Sequence, residues 1–140
     1  MMMKPIKSLY SKYNQNDIYM LERIGPYIII NNNHQGIIVL DSSWNEVKKI
    51  NVDENLFFPE ARYIDYVNNR MLFKLEAFLC LVDIESSGVK LIELPDDLQD
   101  IYFSDLHCFC KDHIMIDTSK NVVSLDLIDF KITVLEDRKS

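Results

Sequence analysis

Short apolar segments alternate with short polar ones along most of the chain, and the apolar segments are rich in residues that favour β-strands. In the first such stretch, Tyr27–Asn31 and Ile37–Asp41 flank a polar turn, and Glu46–Asn51 follows a second polar turn that contains Trp44. Turns rich in Asn, Ser, Asp and Gly between such segments are typical of β-hairpins. The pattern therefore predicts an all-β protein.

The same arrangement recurs three times when Asp41, Asp83 and Asp126 are aligned, which lie 42 and 43 residues apart. The second and third sets of segments are Arg70–Lys74, Phe78–Asp83 and Val89–Leu94, then His113–Asp117, Val122–Asp126 and Phe130–Leu135. One further apolar segment precedes each set, namely Ile18–Leu21, Arg62–Val67 and Ile101–Phe103. We therefore predict three four-stranded antiparallel repeats, with cores at 26–51, 70–94 and 113–135 of a single domain over residues 1–140. Each aligned Asp is expected to accept hydrogen bonds from turn N–H groups.

A four-stranded antiparallel unit that recurs every 42–43 residues resembles the blade of a β-propeller. In the WD-repeat family this strand ends in Trp-Asp and a Gly-His pair lies upstream, whereas here the Asp follows Leu40, Val82 or Leu125 and no Gly-His pair occurs. The chain is thus similar to a degenerate propeller blade. Because three blades do not close a ring, the resemblance implies an open fan or half of a dimeric ring. A β-sandwich is the alternative.

Residues 1–25 are expected to form an N-terminal arm and the first strand. Within this arm, Ile6, Leu9, Tyr10 and Tyr13 have helical spacing, which predicts a short amphipathic helix over residues 5–14 that covers one end of the fan. Gly25-Pro26 then breaks the chain before the first repeat.

The composition of the chain excludes several classes of protein. The chain of 140 residues is 48% hydrophobic, which excludes a disordered protein, and its apolar runs are too short for a transmembrane helix. Three glycines leave no Gly-rich phosphate loop, and no secretory signal is recognised.

The net charge is −7, and residues 51–105 carry twelve acids against four basic residues. Such a surface repels nucleic acids and anionic membranes and attracts a basic partner. The chain has three cysteines, Cys80, Cys108 and Cys110, and this odd number does not suit a disulfide framework. Because such cysteine use is typical of a reducing compartment, we expect a cytoplasmic protein.

The densest group of potential metal ligands is His107, Cys108, Cys110 and His113. A Cys-x-Cys pair without a second pair is a poor zinc signal, and free cysteines also pack as small apolar residues. A thiol nucleophile would need a base and an orienting group, and only His113 lies near. We therefore expect no catalytic residue, no metal and no cofactor.

Acidic and aromatic residues are the candidates for partner binding. Leu94–Asp100 is predicted to be a turn between repeats, either a solvated acidic loop or a recognition loop for a basic surface. Tyr63 is predicted to lie in a loop between repeats. Trp44 is predicted to lie in a tight turn, where its ring either anchors an interface or folds back on its own hairpin. The partner-binding candidates are Asp96, Asp97, Asp100, Asp105, Trp44 and Tyr63.

Size, acidity and the lack of a catalytic set make the chain similar to the immunity proteins of bacterial contact-dependent inhibition and related toxin systems. That resemblance implies a non-catalytic module that binds a cognate toxin or other basic protein, often a nuclease domain, and blocks its active site. Neither nucleic acid nor membrane is an expected partner, while a homodimer is a further expectation. The alternative is a glycan-binding or hydrolase module of propeller type that acts as an oligomer.

Overall fold

The computed structural model describes residues 16–137, and this range contains twelve β-strands and one short 3-10 helix. The first sheet has the strands β1 (Leu21–Ile24), β2 (Tyr27–Asn32), β3 (Gly36–Leu40) and β4 (Glu46–Asn51), which lie side by side in that order. Neighbouring strands are antiparallel throughout. The helix predicted for residues 5–14 lies outside the described residues. Within residues 16–137, no helix has the length and apolarity that crossing a membrane requires.

Two more sheets repeat this antiparallel meander. The second sheet has β5 (Arg62–Asp65), β6 (Arg70–Leu75), β7 (Phe78–Asp83) and β8 (Val89–Glu93). The 3-10 helix (Asp96–Leu98) lies in the connection to the third sheet. The third sheet has β9 (Phe103–Cys110), β10 (His113–Thr118), β11 (Asn121–Asp126) and β12 (Ile132–Asp137). The prediction of three four-stranded antiparallel repeats is confirmed.

The first strand of each repeat is the element that the sequence placed least well. Apolar segments predicted it at 18–21, 62–67 and 101–103, whereas the structure forms β1, β5 and β9 at Leu21–Ile24, Arg62–Asp65 and Phe103–Cys110. The error has a physical reason, because β9 carries Ser104, Asp105 and His107 on its exposed side and so contains no continuous apolar run. Its extent is set by pairing with β10, which no local pattern reveals.

The aligned aspartates act as turn acceptors, as predicted. Each lies at the end of the third strand of its repeat, Asp41 just after β3 and Asp83 and Asp126 as the last residues of β7 and β11. Each accepts a hydrogen bond from a backbone N–H of the next turn: Ser43 to Asp41 at 2.9 Å, Ser86 to Asp83 at 3.1 Å and Ile128 to Asp126 at 2.7 Å. The N–H of Ile128 is also the main reason why the pKa of the Asp126 carboxyl lies below its ordinary value. The repeat is therefore real at the level of individual hydrogen bonds.

The turn after each aligned Asp also contains a residue with left-handed backbone conformation. These residues are Trp44, Ser87 and Phe130, with φ of 67°, 63° and 60°. Positive φ is unfavourable for bulky side chains, so two large aromatic residues at this position must gain their stability elsewhere. Both do so by packing. Trp44 lies against Ile30, Ile38 and Leu40 of its own sheet, and Phe130 lies against the core of the second and third sheets.

The core of the second and third sheets is one continuous cluster. Leu72, Leu79 and Leu98 from the second sheet and its connection pack with Ile116 and Leu125 of the third, and all five are fully buried. These two sheets belong to one compact unit, which comprises Pro59–Asp65 and the chain from Arg70 onward. The first sheet, together with Tyr66–Asn69, belongs to a second compact unit. The single domain over residues 1–140 stays a prediction.

A buried amide organises the unit that holds the first sheet. Asn31 on β2 is fully buried, and its Oδ1 accepts the backbone N–H groups of Tyr19 and Met20 at 2.9 and 3.1 Å. Its Nδ2 donates to the carbonyl oxygens of Asp17 and Asn33 at 2.7 and 3.2 Å. One side chain thus satisfies four backbone groups and ties the segment that leads into β1 to the end of β2.

Candidate functional site

The connection between β8 and β9, residues 94–102, is here named the acidic connection. Leu94 and Leu98 are buried in the core and hold it down, while Asp96, Asp97 and Asp100 are exposed. The segment predicted as a turn between repeats contains a short 3-10 helix over Asp96–Leu98. In it, the Leu98 N–H donates a hydrogen bond to the Pro95 carbonyl oxygen at 2.9 Å. The three acids are therefore displayed together on an anchored segment.

Lys74 fastens the acidic connection to the neighbouring hairpin. Its Nζ donates to the carbonyl oxygens of Glu76 and Gln99 at 2.6 and 2.7 Å, and so joins the β6–β7 turn to the connection. Burial lowers the pKa of Lys74, whereas the nearby Asp100 and Glu76 carboxylates oppose that shift. The ammonium group also lies 5.7 Å from the centre of the Phe103 ring. The lysine is thus committed to internal bonds that hold the two segments in place.

A groove of about 660 Å³ lies beside this fastening, and we name it the connection groove. It runs between the β6–β7 turn, the acidic connection and the residues that enter β5. Its apolar lining is Pro59, Ala61, Ala77, Ile101, Tyr102 and Phe103. Its charged lining is Lys74, Glu76 and Asp100. The groove therefore combines apolar walls with two carboxylates and one ammonium group whose N–H donors are directed to two carbonyl oxygens, and the excess of negative charge suits the stem and head of a basic side chain.

Tyr63 lies on β5 and not in a loop between repeats, so the predicted placement was wrong. The segment pairs with β6, with Tyr63 opposite Leu72, and the ring packs against the core of its unit. Burial, helped by the charge of Asp65, raises the pKa of Tyr63 to about 12, and its hydroxyl makes a hydrogen bond with Cys108. The aromatic residue that the groove exposes is instead Tyr102, of which 68% is accessible.

Trp44 is half-buried, and its ring covers the Ile30, Ile38 and Leu40 cluster of its own sheet. The structure thereby favours the ring folded back on its hairpin over a free-standing anchor. Phe130, at the corresponding turn of the third sheet, behaves in the same way and is capped by Lys90, whose Nζ lies 4.4 Å from the ring centre. A contact of Trp44 with a partner stays a prediction.

Asp105 and the cysteines lie on β9. Asp105 is exposed, and its Oδ2 lies 3.3 Å from Nδ1 of His107. Cys108 and Cys110 are both exposed and reduced, and the Cys108 thiol donates to the Cys110 carbonyl oxygen at 3.2 Å. Within residues 16–137, the structure does not gather these cysteines with histidines into a set of metal ligands.

Sequence reasoning found the acidic part of this surface and missed the rest. Asp96, Asp97 and Asp100 are brought together because they are neighbours in sequence. Lys74 and Tyr102 were missed, since Lys74 reads as an ordinary polar residue at the end of a strand. A lysine at the end of an otherwise buried strand is the one signal that could have indicated it.

Comparison with known proteins supports the fold. No protein-family model matches the chain, and no curated protein matches it significantly. Among solved structures, the extracellular domain of the one component system BT4673 from B. thetaiotaomicron matches with a TM-score of 0.67 at 15% identity. The Neurospora crassa Pan2 WD40 domain matches with a TM-score of 0.58 at 15% identity, and HIRA(644-1017) with 0.59 at 10%.

These matches cover 85–87% of this chain, which spans only 17%, 36% and 40% of the three solved chains respectively. At such low identities the likeness concerns the fold alone. It agrees with the three antiparallel meanders of this chain. Each of the three sheets therefore has the fold of a β-propeller-like blade.

Proposed function

We propose that this chain is a non-catalytic protein-binding module that receives a basic segment of its partner in the connection groove. The observation that carries the proposal is the groove itself, in which apolar walls adjoin the carboxylates of Glu76 and Asp100. A lysine or arginine stem would cover the apolar wall, and its charged head would reach the acids. The exposed ring of Tyr102 offers the kind of anchor on which interfaces rely.

The negative charge of this chain favours a basic partner. The whole chain has a net charge of −7, and Asp96, Asp97 and Asp100 are exposed on the acidic connection, of which Asp100 also lines the groove. Such a field accelerates the encounter with a positively charged protein and loses strength as salt screens it. Binding would then proceed in two steps, with charge steering first and burial of apolar surface afterwards.

The specific form of this proposal is an immunity protein that neutralises a basic toxin domain, such as a nuclease, in the cytoplasm. Its exposed aspartates would occupy the positions that nucleic-acid phosphates take in the toxin, and so would block the active site. The acidity of the chain supports this form. A hydrolase or glycan-binding role is the competing function, and direct binding of a glycan to the isolated chain would favour it.

The experiment uses the neighbouring gene product as the partner, co-expressed with this chain and tested for a stable complex. If a complex forms, the variant Glu76→Gln/Asp100→Asn, which removes the two carboxylates that line the groove, is compared with the charge-matched control Asp53→Asn/Glu54→Gln, which removes two exposed acids from the other unit. We expect the first variant to bind about 2–20-fold more weakly at low salt and to lose part of the salt dependence.

The control should bind like the parent chain apart from a small change due to net charge. Equal weakening by both variants would show that only overall charge matters and would overturn the assignment of the groove. If the partner is an active toxin, the intact chain must also abolish its activity, and a complex that leaves the activity unchanged would reject the immunity form while keeping protein binding.

A further inference from the structure

We infer that the exposed face of the third sheet binds a divalent transition-metal ion, with Zn²⁺ as the best fit, through Asp105, His107 and Asp117. One ligand atom from each residue lies within 4.8 Å of the other two. The set differs from the cysteine-containing group that the sequence suggested, and it departs from the expectation of no metal, which stays untested. It lies apart from the residues that line the connection groove.

The backbone pairing produces this juxtaposition. Asp105 and His107 are two residues apart on β9, so their side chains point to the same face of the sheet. On the neighbouring strand β10, Asp117 is the direct partner of Asp105 in the register. The intervening Leu106 points the other way and is buried in the core of the unit. The three side chains therefore project from the paired strands β9 and β10, next to an irregularity in the register between Asp117 and Thr118.

The spacing suits a metal ion. Nδ1 of His107 lies 3.3 Å from Oδ2 of Asp105. Two ligands at bonds of about 2.1 Å and a tetrahedral angle would be separated by about 3.4 Å. The Asp117 carboxylate forms a triangle with the other two groups. Small rotations of the side chains would bring the three ligand atoms closer to one another. Half of the His107 side chain and 64% of that of Asp105 are accessible, so water can fill the remaining positions.

Electrostatics gives an independent reason for a cation. Two carboxylates directly opposite each other on adjacent strands repel and destabilise a sheet. Asp105 and Asp117 have this arrangement. A divalent cation bound between the two carboxylates would offset this repulsion. The pairing of β9 with β10 would thus be stronger with the ion bound.

The donor set selects among metals. Imidazole nitrogen suits Zn²⁺, Ni²⁺ and Cu²⁺, whereas Mg²⁺ and Ca²⁺ prefer sites made of oxygen alone. Imidazole nitrogen and carboxylate oxygen are both zinc ligands in proteins, and catalytic zinc sites combine them. We therefore expect Zn²⁺ to bind much more tightly than Mg²⁺.

The test is a calorimetric titration of the tag-free full chain with ZnCl₂, with MgCl₂ as the comparison and thermal unfolding as a second readout. The variants are His107→Ala and Asp117→Asn. The matched control is His113→Ala, because Nε2 of His113 lies 3.4 Å from Oδ2 of Asp126 on the same sheet and forms a histidine–aspartate pair without a third ligand. Circular dichroism confirms that each variant is folded.

We expect one Zn²⁺ per parent chain, an increase in melting temperature on adding it, and at least about a tenfold loss of affinity in both ligand variants. The control should keep the affinity of the parent chain. Absence of zinc binding by the parent chain would overturn the inference. So would an affinity that His107→Ala leaves unchanged, one that His113→Ala reduces equally, or equal binding of Mg²⁺.

Discussion

Replacing Asn31 by Ala is expected to destabilise the unit that contains the first sheet more than any neighbouring polar substitution. The side chain is fully buried and makes four hydrogen bonds to backbone groups, two as acceptor and two as donor. Alanine removes all four and leaves the N–H groups of Tyr19 and Met20 without their acceptor. The segment that precedes β1 then loses its attachment to the end of β2.

The magnitude follows from the number of bonds. Each intramolecular hydrogen bond contributes about 0.5–1.5 kcal/mol net, so four bonds correspond to roughly 2–6 kcal/mol. The segment at Asp17 and Tyr19 lies near the surface, and water can partly replace the lost partner. We therefore expect the free energy of unfolding of this unit to fall by about 2–4 kcal/mol.

The assay is hydrogen exchange at single amides, because the chain contains two compact units and a single unfolding curve could mix them. In Asn31→Ala, the amides of Tyr19 and Met20 should exchange at least about tenfold faster than in the parent chain. The control is Asn32→Ala, since Asn32 is the next residue on β2 and makes none of these four bonds. If both variants exchange at the same rate at these two amides, the role assigned to Asn31 is wrong.

Two further predictions concern backbone space and a phenol. In Gly36→Ala, the new Cβ would collide with the carbonyl oxygen of Ile50 on β4, so we expect a loss of about 1–3 kcal/mol in urea unfolding, whereas Gly88→Ala, which meets only the flexible Ser86 hydroxyl, should change it far less. Equal effects would contradict this. The pKa of Tyr63 is raised from 10.0 to about 12, so the folded chain keeps a proton that the unfolded chain releases, and the resulting stability is complete below pH 10 and lost as the pH rises towards 12. Tyr63→Phe should flatten the decline in unfolding free energy across that range, and an unchanged slope would refute the assignment.

Much of the fold could be predicted from local pattern because hairpins are local structures. Segments rich in β-favouring residues, together with Asn, Ser and Asp in the turns, placed β4 and β7 with their observed bounds. The repeat of Asp41, Asp83 and Asp126 predicted the turn hydrogen bonds that the structure contains. An aspartate that caps its own turn needs only its neighbours in sequence.

The sites were decided by contacts between residues that are distant in sequence. Lys74 meets the Gln99 carbonyl across 25 positions, and Asp117 stands beside Asp105 because β9 and β10 pair in one particular register. A shift of one residue in that register would turn these side chains to the other face of the sheet. The sequence by itself therefore determined the repeated meander, the turns and the acidity of residues 94–100. Only the tertiary structure decided where the groove forms and which ligands face one another, since strand pairing and sheet packing depend on the free energy of the whole unit and not on any local segment.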